Sequence, residues 1–218
     1  MQVNSVKKKK IIIFGLGGGS RDVLGLINDI NRINYQWEII GFVGKENERI
    51  GESIEGHRII NFNDLPSSND FYAICSVANP DLKKKITETQ INIKNYRLAT
   101  LIHPNNYIRD DFKAQPGSVM FSAVRISYNV TIGESVWIDS NTNIGHNLFI
   151  GQYTSIMPMA VVLGSVGNNC QIGAGAIIHQ RVKIGDDSLV GMGTIVTKDV
   201  PNKSKVINFP RNITMRNK

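Results

Sequence analysis

A period of six governs the second half of this chain. Reading every sixth residue from Met120 gives Ile126, Ile132, Ile138, Ile144, Ile150, Ile156 and Val162. The phase then slips by two residues and resumes as Val166, Ile172, Ile178, Ile184, Val190 and Val196. Two positions before each aliphatic the residue is mostly small or β-branched, as at Val124, Val136, Thr142, Ala160, Cys170 and Ala176, with Leu148 and Gly164 as exceptions. Glycine often follows the aliphatic, as at Gly133, Gly145, Gly151, Gly167, Gly173, Gly185 and Gly191. This period matches neither a helix nor a simple strand. It is the hexapeptide repeat of a parallel β-helix, in which each repeat supplies one side of a triangular coil and points its aliphatic inward. The fourteen repeats from Met120 to Val196 predict between four and five coils.

The first hundred residues follow a different rule. Ile11–Phe14 is a continuous aliphatic run, the pattern of a buried parallel strand. Gly15-Leu16-Gly17-Gly18-Gly19-Ser20 comes next, and then Val23, Leu24, Ile27 and Ile30 at helical spacing. Glycines between a strand and a helix expose backbone N–H groups at the positive end of a helix dipole, where phosphate binds well. The alternative is a tight turn with no ligand. A dinucleotide fingerprint would carry a third glycine where Ser20 stands. It would also carry an acidic ribose reader after the second strand, Trp37–Val43, which instead runs into Gly44-Lys45. Nicotinamide chemistry is therefore disfavoured. Phe71–Val77 reads as a third strand, Asp81–Gln90 as a helix and Arg97–Leu101 as a fourth strand. This alternation predicts a small doubly wound sheet. The expected division is an α/β, Rossmann-like domain over residues 1–102 and a β-helix with a C-terminal tail over 103–218.

Charge and cysteine usage narrow the function classes. The net charge is +7, partly from Lys7–Lys10 and from Arg211, Arg216 and Lys218 near the end. Solvated ends explain part of it, and attraction for anionic small molecules is the sharper reading. Basic residues are not interleaved with aromatics, so a nucleic-acid groove is not expected. Cys75 and Cys170 make no disulfide framework, and a reducing cytoplasm is the natural setting. The basic start followed by Ile11–Phe14 is too short for a signal peptide, and no stretch is long enough to span a membrane. Tyr128, Trp137, Phe149 and Tyr153 fall on outward positions of the repeat and suggest subunit contact.

One corner of the repeat carries chemistry. His146 lies two residues after an inward Ile, so it points outward, and imidazole is a suitable general base near neutral pH. An outward His on a repeat protein is also common as plain surface. Together, several stretches of this sequence resemble the sialic acid O-acetyltransferase and nucleotide-amino-sugar N-acetyltransferase family. They are Gly15–Ser20, Asn79-Pro80-Asp81-Leu82-Lys83-Lys84-Lys85-Ile86, Thr100-Leu101-Ile102-His103-Pro104 and Val196-Thr197-Lys198-Asp199-Val200-Pro201. The resemblance covers nearly the whole chain. It implies a nucleotide-sugar-binding α/β domain joined to a left-handed parallel β-helix, acetyl-CoA as cosubstrate, no metal, and a homotrimer with its sites between neighbouring subunits.

The resemblance also distributes roles. His146 matches the catalytic histidine. Asn147 stands where the family has a carboxylate, and Ser155 where it has a second histidine that contacts acetyl-CoA. Asn147 can orient the imidazole but supplies no charge, so Asp139, one turn earlier, is a candidate to act from a neighbouring subunit. Gly164, Gly173, Ala174, Gly191 and Met192 match positions along the coenzyme groove. Gly17, Gly18, Gly19, Lys45, Ala78 and Lys83 match the nucleotide-sugar site. The resulting expectation is direct acetyl transfer to a nucleotide-linked amino sugar in bacterial surface-glycan synthesis, with O-acetylation of a sugar or sialic acid as the alternative. A zinc carbonic anhydrase on the same prism would need three converging histidines, and only His146 and His179 lie in the repeats. A non-catalytic sugar-nucleotide-binding scaffold is the reading from another class.

Overall fold

Ile11 and Ile13 enter one apolar cluster and Ile12 and Phe14 another, which is why the first strand is apolar without alternation. The computed structural model describes residues 8–45 and 48–208; Lys7 and the tail residues Arg211, Arg216 and Lys218 lie outside them. In chain order the first part contains β1 (Lys9–Phe14), α1 (Gly18–Ile33), β2 (Trp37–Val43), β3 (Ser53–Ile54), β4 (His57–Arg58), β5 (Phe71–Cys75), α2 (Pro80–Ile86) and β6 (Arg97–Leu98). The sheet is parallel, in the order β2-β1-β5-β6, and β3 and β4 form a separate antiparallel pair. Asn79 caps α2, its Oδ1 accepting from the backbone N–H of Leu82 at 2.9 Å, with Pro80 in the first turn. The helix expected over Asp81–Gln90 stays α-helical only to Ile86, and Thr87–Ile91 widens into a π-type turn.

From Leu101 the chain winds a left-handed prism. Three parallel faces of seven, six and five short strands run up it among the described residues. The first face begins at Leu101–Ile102 and ends at Lys205–Val206, the second runs from Tyr107–Ile108 to Ile195–Val196, and the third from Lys113–Ala114 to Lys183–Ile184. The inward column read from the sequence, Met120 through Val196, forms one continuous apolar core. The prism is taller than the expected four to five coils. Ile102, Ile108 and Ala114 extend the same six-residue phase below Met120, and Val200 and Val206 extend the core above Val196. Ala114 and the histidine–proline pair at 103–104 hid the lower coil.

The two-residue slip has a defined place. Ile144 pairs with Val162 eighteen residues on, but Ile150 pairs with Val166 only sixteen on. The shortened corner is Leu163-Gly164, between the second and third faces. A Cβ at Gly164 would come within 2.2 Å of the Val182 carbonyl oxygen, so nothing larger fits there.

The small domain sits on the first face, which overturns one expectation. Trp137 and Tyr153 are not outward surface: they are 3% and 5% exposed. Trp137 packs on Phe121 with ring centroids 4.8 Å apart and shares a cluster with Ile11, Val23 and Ile27 of the small domain. Tyr153 donates its hydroxyl to Glu134 at 3.1 Å. Of the four aromatics only Tyr128 and Phe149 remain exposed. His103, in the stretch that leads into the repeats, has its Nε2 3.3 Å from Asp29 Oδ2 on α1.

Candidate active site

Two recesses among the described residues hold expected site residues. The first lies where strands β1, β2 and β5 end. It has a volume of about 550 Å³ and is lined by Gly15, Gly17, Gly19, Lys45, Ala78 and Lys85 among others. Helix α1 starts here without a side-chain cap and without an acidic residue in its first turn. Its free N–H groups and dipole therefore face the recess uncompensated, an arrangement that favours an anion. Gly19 is required by close approach, since a Cβ there would meet the Ser76 carbonyl oxygen at 2.7 Å and the Trp137 ring at 3.4 Å. Gly17, Gly19, Lys45 and Ala78, expected to bind substrate, all line this recess. Gly18 opens the helix beside it.

Lys83 does not join them. Its side chain turns away from the recess and is 2% exposed, with Nζ donating to Ser155 Oγ at 2.7 Å and to the Thr154 carbonyl at 3.3 Å. Ser155, expected at the coenzyme, is fully buried on the first face under this amine. The two residues therefore bind each other across the domain contact, and the cation that reaches the recess from α2 is Lys85. Desolvation lowers the Lys83 pKa to about 7, with the Cys75 thiol nearby opposing the shift.

The sign of the resulting pH dependence follows. An unfolded lysine keeps its proton up to about 10.5, whereas the folded one gives it up above about 7. Between those values the unfolded chain holds more protons, so stability rises with pH across that window, and below it the burial cost is present in full. The double substitution Lys83→Met/Ser155→Ala removes both ends of the pair. It is expected to leave the protein as stable as the parent or more so at pH 7, and to flatten the rise in melting temperature between pH 7 and 10. An unchanged slope would show that Lys83 is not its source.

The second recess is a groove of about 490 Å³ along the edge between the second and third faces. Residues on one edge recur once per coil, roughly 4.8 Å apart. His146 and Asn147 form one corner, the shortened Leu163-Gly164 corner lies above it, and Gln180 and Arg181 come next, with Lys183 alongside. His146 is exposed, and its Nδ1 lies 3.0 Å from Asn147 Nδ2. The groove thus places an imidazole at one end and two cations at the other. Arg181 and Lys183 did not stand out in the sequence; stepping up one coil at a time from His146 would have found them.

Other expected site residues lie on a different edge, between the first and second faces. Gly173 and Ala174 follow Ile172 there, and Gly191 and Met192 follow Val190. Gly173 is tight, because a Cβ would come within 2.5 Å of the Met192 backbone nitrogen. Asp139 occupies the same edge, its Oδ1 accepting from the Ser140 N–H at 2.7 Å and its Oδ2 3.4 Å from Trp137 Nε1. One copy of the chain therefore brings His146, Asn147 and Gly164 together but not Asp139, Gly173, Ala174, Gly191 or Met192. The second face between these edges exposes Ile177 and Ile195, and Met159 and Met192 flank it.

Among the described residues no group of three or more His, Cys, Asp or Glu side chains is placed to hold a metal ion. No helix among them is long and apolar enough to cross a membrane.

Residues 7–99 match a family described as "C2185-like, N-terminal", and residues 164–198 match "Bacterial transferase hexapeptide (six repeats)". The chain is 27% identical to the GDP-perosamine N-acetyltransferase of Escherichia coli O157:H7, over 89% of this chain and 81% of that protein. Among solved structures it resembles the acetyltransferase domain of PglB from Neisseria gonorrhoeae FA1090 in complex with acetyl coenzyme A. That similarity has a TM-score of 0.81 at 22% identity and covers 92% of this chain and 97% of the other. It also resembles PerB from Caulobacter crescentus in complex with CoA and GDP-perosamine, with a TM-score of 0.74 at 18% identity, covering 94% and 97%. At such identities the structural likeness establishes the fold, and the activity has to be argued from the site.

Proposed function

We propose that this chain is a hexapeptide-repeat sugar N-acetyltransferase, a reading supported by its similarity to a GDP-perosamine N-acetyltransferase and by the hexapeptide match, and that it transfers acetyl from acetyl-CoA to the amino group of a nucleotide-linked sugar. The observation that carries the reading is the groove on which His146 opens. It spans three successive coils, its corner at Gly164 lacks a side chain, and Arg181 and Lys183 lie two coils from the imidazole. A thin pantetheine chain fits beside Gly164, and the two cations complement its phosphates. Acetyl-CoA supplies the activated thioester.

His146 takes the proton from the acceptor nitrogen as that nitrogen attacks the thioester carbonyl. The resulting imidazolium returns the proton to the departing thiolate, leaving an amide and free CoA. No serine or cysteine side chain is hydrogen-bonded to His146 among the described residues, which favours direct transfer in a ternary complex over an acyl-enzyme. The recess at the start of α1 takes the diphosphate of the acceptor, with Lys45 and Lys85 as cations at its mouth.

The chain acts as a homotrimer in this reading. The residues expected at the coenzyme are split between two edges of the prism, and the upper part of the face between those edges exposes Ile177 and Ile195, the latter 58% exposed. A neighbour's edge between its first and second faces, laid against this chain's edge between its second and third faces, brings Asp139, Gly173 and Gly191 toward His146. Asp139 then supplies the carboxylate that Asn147 lacks, and Asp139→Asn should lower kcat while leaving the oligomer intact. Wild-type turnover in that variant removes Asp139 from the mechanism, and a monomer in sedimentation removes the shared site. We place the reaction in the cytoplasm, in the supply of acetylated sugars for surface glycans.

The deciding experiment is turnover of acetyl-CoA against a panel of nucleotide-linked amino sugars, with sialic acids and neutral nucleotide sugars alongside. Release of CoA with amino sugars alone is expected. Turnover confined to hydroxyl acceptors would replace N- by O-acetylation, and binding without turnover would leave a sugar-nucleotide-binding protein.

A further inference from the structure

The imidazole of His146 belongs to a short chain of amides that descends the prism edge. Asn147 Nδ2 lies 3.0 Å from His146 Nδ1. One coil below, Asn129 Nδ2 donates to Asn147 Oδ1 at 2.9 Å. The backbone of Asn129 is pinned in turn, its N–H donating to Asp111 Oδ2 at 2.6 Å. Both asparagines hold positive φ, 53° and 56°, which places their side chains in register at the same corner of successive coils.

The direction of this chain decides what the imidazole can do. With Asn147 Nδ2 donating, Nδ1 is an acceptor, the ring proton sits on Nε2, and Nε2 cannot take another. The two ends of an amide are nearly equal in shape, so turning both asparagines preserves both hydrogen bonds and reverses the chain. Asn147 Oδ1 then accepts from Nδ1–H, and Nε2 carries the free lone pair that a base needs. The two amides must turn together, because two oxygens or two NH2 groups facing each other make no bond. Another edge of the prism shows a ladder without this freedom. Asn169 Nδ2 donates to Asp187 Oδ1 at 2.9 Å and to Asp81 Oδ1 at 2.7 Å, and carboxylates that only accept fix its orientation.

We propose that Asn129 is a positioning residue for the acetyl transfer: through the Asn147 amide it sets which nitrogen of His146 carries the proton. Asn129 is not among the residues that line the groove. The proposal rests on His146 being the base.

Three forms of the enzyme test it: the parent, Asn129→Gly and Asn129→Asp. Glycine keeps the positive-φ backbone and loses the amide. Aspartate tolerates that backbone and can only accept, so Asn147 must offer it Nδ2 and turn Oδ1 to the imidazole. Asn129→Gly is expected to lower kcat about tenfold, a small part of the roughly 10²–10⁴ a general base contributes, with KM for acetyl-CoA unchanged. Asn129→Asp is expected to match or exceed the parent. Imidazole 15N spectra of the resting proteins provide a readout independent of activity. Asn129→Asp should move His146 to the form protonated on Nδ1, and Asn129→Gly should show a mixture. Equal kcat in parent and glycine variant, equal loss in both variants, or three identical spectra would overturn the proposal. Absence of acetyl transfer by the parent counts against the proposed function alone, and the spectra still decide the role of Asn129.

Discussion

His146→Ala is expected to lower kcat for acetyl transfer by roughly 10²–10⁴-fold, the range a positioned general base supplies. The fold should not change, because His146 is exposed and its side chain bonds only to the neighbouring Asn147 among the described residues. Surface substitutions of that kind stay within about 0.5 kcal/mol. The KM for acetyl-CoA should move little, since Gly164, Arg181 and Lys183 lie on the coils above and remain in place. The diagnostic pattern is a collapse of kcat with unchanged melting temperature and nearly unchanged KM. A large rise in KM with kcat preserved would make His146 a binding residue and send the search for the base elsewhere. Full activity would end the assignment.

Trp137→Ala carries the largest expected loss of stability. Trp137 sits on the first face of the prism, yet it packs with Phe121 and with the apolar face of the small domain, and its ring lies against Gly19 at the start of α1. Truncating a buried tryptophan costs about 3–5 kcal/mol, from lost burial plus the cavity left behind. The cavity here opens between the two domains and directly beneath the recess that α1 borders. Phe149→Ala is the matched control: it is also an outward aromatic of the repeat, but it is 44% exposed on the third face. Its loss should stay within about 0.5 kcal/mol in the isolated chain. Denaturant unfolding of the two variants separates them. Equal effects would contradict the docking of the small domain on the first face.

These two residues show how much the sequence discloses. Trp137 and Phe149 occupy equivalent outward phases of a six-residue repeat, and nothing local distinguishes them. Their difference comes from a surface more than a hundred residues earlier in the chain, formed by Ile11, Val23 and Ile27. Lys83 and Ser155 illustrate the same limit. Each matches a ligand-binding position by its local stretch, and each is consumed by the other across the domain contact. His146 was legible because a single titratable side chain broke an otherwise bland corner. Arg181 was not, because surface arginines are common and only the coil-to-coil stacking gives this one meaning.

The inward column from Met120 to Val196, the shortened corner at Leu163-Gly164 and the glycine turn at Gly15–Ser20 were determined by the sequence alone. Each is set by local backbone geometry and by which side chains tolerate an interior or a tight corner. Tertiary structure decided what covers each outward face, which edge each corner residue shares, and which polar groups meet. Those outcomes depend on pairs of surfaces brought together over long separations, and a one-dimensional pattern records only one surface of each pair.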